Sequence, residues 1–272
     1  MIQSGFLGHR NFLWLKVNAA LVLAMLAGYV VDQPIGGRNG GTWLGYAYGI
    51  FAALAIVYLT WFAIRKRSYY STAGTVKGWL SLHSWLGIAL IIVVPLHCGF
   101  SFGLNVHTLA FALMVIVTLS GIWGAFAYVA LAPRIESHRG GVKANELREK
   151  IERLSREIGE LAPTCGEEFE RAQKSTKPGD YRNGVKILFQ SRPQEPDRAL
   201  LGRALSSLPE AERPRGEALI ARIGERYSAA SQLYDESRVL AMLRVWIFIH
   251  APLAAALLAA LAAHIIAVFY FR

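Results

Sequence analysis

The chain has 272 residues, of which 54% are hydrophobic and 18% charged, with a formal net charge of +10 and a mean hydropathy of +0.32. That balance excludes an ordinary soluble globule and fits a membrane chain that carries a polar portion. The cysteines are Cys98 and Cys165, without a CxxC or CxxCH pattern, which excludes a disulfide framework, a cysteine-held iron–sulfur cluster and a covalently attached c-type haem.

A hydrocarbon core takes about 20 apolar residues to cross, and stretches of that kind run near 12–31, 43–64, 79–102, 106–131 and 241–270. Five spans are therefore expected. The first has no small-x-small cleavage site before Asp32-Gln33-Pro34, so it reads as a retained span, with a signal anchor as the plainer alternative. Much of the positive charge lies beside the spans, as in Arg65-Lys66-Arg67 and Lys77. It reports orientation rather than nucleic-acid binding. Arg10, Lys16 and the basic 65–78 loop place the N-terminus on the cytoplasmic side. Spans 1, 3 and 5 then run outward and Arg272 lies outside.

Residues 132–240 separate the fourth and fifth spans and are expected to form a helical cytoplasmic insertion. Leu147, Ile151, Leu154, Ile158 and Leu161 recur at spacings of three and four, the pattern of an amphipathic helix. Turns follow at Lys177-Pro178-Gly179-Asp180 and Arg192-Pro193-Gln194-Glu195-Pro196, and helical patterns resume near 197–208 and 210–235. Neither a GxGxxG after a strand nor a P-loop occurs, so no flavin or nicotinamide domain is indicated. A docking or scaffold role suits the insertion. The domains read as 1–131, 132–240 and 241–272 in an all-α integral membrane protein.

Five of the seven histidines lie in or at the edge of spans, where strongly polar side chains are costly and mark function. His83 and His97 are 14 positions apart in the third span, and His250 and His264 repeat that interval in the fifth. Fourteen residues make about four helical turns, so both rings of a pair share one face about 21 Å apart along the axis. With both spans running outward, His83 comes level with His250, and His97 with His264. Each level offers two neutral imidazoles to one iron, which favours two b-type haems. Interhelical hydrogen bonds, a proton path or a non-haem metal are the alternatives. Zinc or non-haem iron would want its ligands clustered at one level.

Gly87 and Ala254, each four residues after the first histidine of a pair, leave space for a porphyrin. Leu90, Val94, Leu257 and Leu261 fill the stripe between the levels. Pro95 and Pro252 are candidate kinks or ordinary membrane-helix prolines. His107, at the outer start of the fourth span, is a candidate propionate partner, a contact for an acceptor or quinone, or a replacement for His97, with a capping or interface histidine as the plainer reading. Lys77 and Arg244 are placed to pair with inner propionates, and Arg272 with outer ones, although topology alone accounts for the first two. Trp79, Trp85, Trp246, Tyr270 and Phe271 fit an interfacial belt. Cys98 reads as a small buried hydrophobe.

The runs Leu82-His83-x13-His97-Cys98 and Ile249-His250-x13-His264-Ile265 resemble the transmembrane haem domain of the ferric reductase and NADPH oxidase superfamily, and more distantly cytochrome b of quinol-oxidising complexes. The resemblance covers spans 3 to 5. It implies an inner haem on His83 and His250, an outer haem on His97 and His264, and electron passage across the bilayer. That superfamily usually continues into a C-terminal FAD and NADPH module, whereas here eight residues follow His264. The expected role is therefore an oxidoreductase subunit that exchanges electrons with a flavoprotein, an iron–sulfur protein, a c-type cytochrome or a quinone. The expected setting is a bacterial inner membrane, in contact with anionic lipid. A haem-free scaffold or sensor is the rival from another class.

Overall fold

The computed structural model describes residues 5–67, 74–139, 144–176, 179 and 184–270. The chain is an all-α membrane protein. Its helices are α1 (His9–Val31), α2 (Trp43–Arg67), α3 (Val76–Cys98), α4 (Val106–Arg139), α5 (Ala144–Leu161), α6 (Glu167–Ser175), α7 (Arg198–Ser207) and α8 (Arg213–Tyr270), with short 3-10 turns at Phe6–Gly8, Ala162–Cys165 and Gly184–Phe189. Five helices, α1 to α4 and α8, are long and apolar enough to cross a bilayer. Two compact units result: residues 1–126 with 246–272, and residues 127–245.

In the first unit α3 is the central element. Leu90 and Val93 are 1% and 0% exposed, in a core shared with Val22 of α1, Ile56 of α2, Met114 of α4 and Leu257 of α8. By contrast Leu54 and Phe248 are 66% and 72% exposed, and such apolar side chains find a suitable solvent in lipid. The boundaries of α3 follow local chemistry. The Thr75 hydroxyl accepts the Gly78 N–H at 3.1 Å and caps the start. Gly99, at φ 60°, ends the helix in the left-handed conformation. The third span therefore covers Val76–Cys98 rather than 79–102, because the apolar run through Phe102 continues past a cap that hydropathy does not register.

The second unit builds its own cores. Leu154, Ile158, Phe169, Leu201, Leu219 and Ile223 pack together, and Leu147, Ile151, Ile187 and Leu233 form a neighbouring cluster. The expected face of α5 is the buried one. One connection follows the expected turn and one differs. The Arg192-to-Pro196 stretch connects to α7 through the Asp197 cap, whose carboxylate accepts the Ala199 and Leu200 N–H groups. The helix expected near 210–235 and the fifth span are one continuous helix, α8. The Lys177-to-Asp180 turn, apart from Gly179, lies outside the described residues, as do Phe271 and Arg272.

Candidate functional site

His97 lies in the last turn of α3 and His264 in the last two turns of α8. Their ring centres are 6.2 Å apart with the planes at 86°. The Nδ1 of His97 meets the Gly45 carbonyl oxygen at 2.7 Å. A carbonyl only accepts, so Nδ1 carries the proton and Nε2 keeps its lone pair. Two glycines admit this ring: a Cβ on Gly49 would fall 2.6 Å from its Cε1, and one on Gly40 3.2 Å. The Nδ1 of His264 is buried without a hydrogen-bond partner, and its ring centre lies 4.2 Å from that of His107. His107, exposed at the start of α4, thus contacts His264.

At the other level His83 and His250 lie within electrostatic reach of each other. The Nδ1 of His250 is 2.7 Å from the Ser120 hydroxyl, which itself donates to the Val117 carbonyl at 2.8 Å. A hydroxyl has one proton to give, and Val117 takes it. Ser120 therefore accepts from His250 Nδ1, and Nε2 is again the free nitrogen. The Trp246 indole N–H donates to the Ser120 carbonyl at 2.8 Å and its ring centre lies 5.2 Å from that of His250. Gly124 makes room for this indole, since a Cβ there would collide with the Trp246 ring. His83 packs at 5.2 Å against the Phe62 ring; its Nδ1 is buried without a hydrogen-bond partner, while the ring lies within reach of the Leu59 backbone.

Each level thus pairs one imidazole whose tautomer is fixed with one whose Nδ1 is an orphan. Two imidazoles on opposite sides of one metal, with bonds of about 2 Å and ring half-widths of about 1 Å, bring their centres about 6 Å apart. The His97–His264 spacing has that value. Gly87 is buried, and a Cβ there would meet Thr118 Cγ2 at 4.0 Å, an ordinary van der Waals contact one turn after His83. Ala254, one turn after His250, is half-buried. Leu90, Val94, Leu257 and Leu261 all belong to the membrane core between the levels. The separation of the His97 and His264 rings fits the two imidazoles of a haem iron at that level. Among the described residues no three or more His, Cys, Asp or Glu converge on a metal site, and an iron in a macrocycle asks for only two imidazoles.

The flanking cations are distributed differently. Lys77 is exposed in the first turn of α3. Arg244 belongs to the second unit, where its guanidinium lies against Gly184.

Sequence reasoning missed the anchors. Gly45 and Gly49, spaced by four, and Ser120-Gly121-x-x-Gly124 carry the small-residue signature of close helix approach, but nothing in it announces a histidine acceptor. Trp79, Trp85 and Trp246 also do more than line a belt. Trp79 stacks on Tyr58 at 5.0 Å, Trp85 donates to the Leu7 carbonyl at 3.2 Å, and Trp246 is held on Ser120. A buried indole N–H needs an acceptor, and that requirement draws these rings inward.

No protein-family model, curated protein or solved structure matches this chain.

Proposed function

We propose that this protein is a membrane di-haem cytochrome of b type, the electron-transferring subunit of a larger oxidoreductase. The observation that carries this reading is the doubled histidine pair, with one imidazole of each pair locked by Gly45 or Ser120 so that its Nε2 faces outward from the anchor. Haem bound at the two levels supplies reversible one-electron chemistry.

The remaining work belongs to the chain. His97 and His264 hold one level, and His83 and His250 the other. Gly45 and Ser120 fix ring orientation and raise ligand basicity by accepting the Nδ1 protons. Leu90 and Leu257 keep water from the space between the levels. An axial separation of about 21 Å places one level in each leaflet. Basic residues flanking the spans set the N-terminus and residues 132–240 on the cytoplasmic side, against anionic lipid. There the helical unit offers a docking platform for a flavoprotein or iron–sulfur donor. A c-type cytochrome or a quinone serves the opposite face.

The test is electron passage through a sealed membrane. Purified protein in liposomes loaded with ferricyanide should discharge the trapped oxidant when dithionite is added outside. His97→Ala or His250→Ala should bring the rate to that of protein-free vesicles. Equal rates with and without the histidines would contradict the proposal.

A further inference from the structure

The membrane unit holds a single acidic side chain. Its cations are Arg10, Lys16, Arg38, Arg65, Lys66, Arg67, Lys77 and Arg272, and its one carboxylate is Asp32.

Asp32 caps the C-terminus of α1, with its N–H donating to the Gly28 carbonyl at 2.9 Å. Arg38 closes over this end. Its Nε donates to the Asp32 carbonyl at 2.9 Å, its Nη2 to the Val30 carbonyl at 3.0 Å, and its guanidinium lies 4.6 Å from the centre of the Tyr29 ring. These contacts commit the Arg38 donors to the open carbonyls of the helix end. Arg38 is also exposed and water-screened, whereas Asp32 is half-buried.

Asp32 lines a small crevice together with Tyr29, Arg38, Thr42, Gly45, Tyr48 and Leu96, and Asp32→Asn removes its charge while Arg38 stays in place. Gly45 is the residue whose carbonyl takes the Nδ1 proton of His97. The lone anion of the unit therefore shares a crevice with the anchor of one proposed axial ligand. Resting on the di-haem reading, we propose that Asp32 lowers the redox potential of the His97–His264 site and leaves that of the His83–His250 site unchanged. Oxidised iron carries one more positive charge than reduced iron, so a nearby anion favours the oxidised form. Polarisation through the Gly45 carbonyl also makes His97 a stronger donor, which acts in the same direction. The His83 level lies about 21 Å away along the axis, where the Coulomb effect of Asp32 is several-fold weaker. Asp32 acts through Gly45 and His97 and is a positioning residue, not a ligand.

Potentiometric titration of the full-length protein, read at the haem absorbance, tests this in wild type, Asp32→Asn and Asp32→Glu. The expected result is two haems per chain in all three, with one midpoint raised in Asp32→Asn and restored in Asp32→Glu. In the His83→Ala background, the single surviving haem should show the same rise. Midpoints unmoved in Asp32→Asn, or both moved equally, would overturn the proposal while leaving the di-haem reading intact. Loss of haem in Asp32→Asn would make the carboxylate a structural group and likewise overturn it. A wild-type protein without haem would overturn the di-haem reading and this inference together.

Discussion

At the residue scale the clearest chemistry is the accounting of single protons. With the Ser120 hydrogen on the Val117 carbonyl, His250 donates to the Ser120 oxygen and its Nε2 is left free. Removing that oxygen leaves a buried N–H unpaired, at a cost of about 1–3 kcal/mol. Groups that orient a metal-bound histidine are typically worth about 10- to 100-fold in affinity. Ser120→Ala should therefore lose haem from one of the two sites about 10- to 100-fold faster, while Ser120→Thr keeps it. Haem transfer to apomyoglobin, followed by absorbance, measures both. Equal release from wild type and Ser120→Ala would remove Ser120 from the site. The four histidines were legible in the sequence because a 14-residue interval occurred twice in apolar helices. Their anchors were not, since a backbone carbonyl at Gly45 has no side-chain signature and a serine in a membrane helix ordinarily bonds its own backbone.

At the scale of elements, hydropathy placed the membrane helices because lipid imposes one composition along a whole span. It failed at their ends, where chemistry is local. Thr75 and Gly99 set the limits of α3, and no breaker occurs between residues 235 and 241, so α8 runs through the division read from the loss of polar residues. Pro252 sits inside α8 without ending it. In the second unit the buried face of α5 followed directly from its periodicity, because one side must meet a core and the other water. Ile158, fully buried among Leu154, Phe169 and Leu219, tests that core. Ile158→Ala should cost about 2–5 kcal/mol. It should speed limited proteolysis within residues 144–207 of the full-length protein and leave the haem spectrum as in wild type. A proteolysis rate unchanged from wild type would contradict this packing.

At the scale of the whole molecule, the net charge of +10 divides unevenly. The membrane unit holds eight of the 29 Lys and Arg and one of the 19 Asp and Glu, whereas the second unit mixes both signs in pairs such as Lys150 with Glu225 and Arg192 with Asp235. Exposed pairs of this kind are worth about 0–1 kcal/mol each, so they keep the second unit soluble rather than hold it together. On the proposed reading the charge of the membrane unit sets its orientation and, through Asp32, tunes one site. The central claim for the molecule is that its two histidine pairs each hold one haem. Pyridine haemochrome quantification with reduced-minus-oxidised spectra, on wild type and on His83→Ala, His97→Ala, His250→Ala and His264→Ala, tests it most directly. Two b haems per chain, with one lost in each variant, is the predicted result, and a folded wild-type protein without haem absorbance would contradict it.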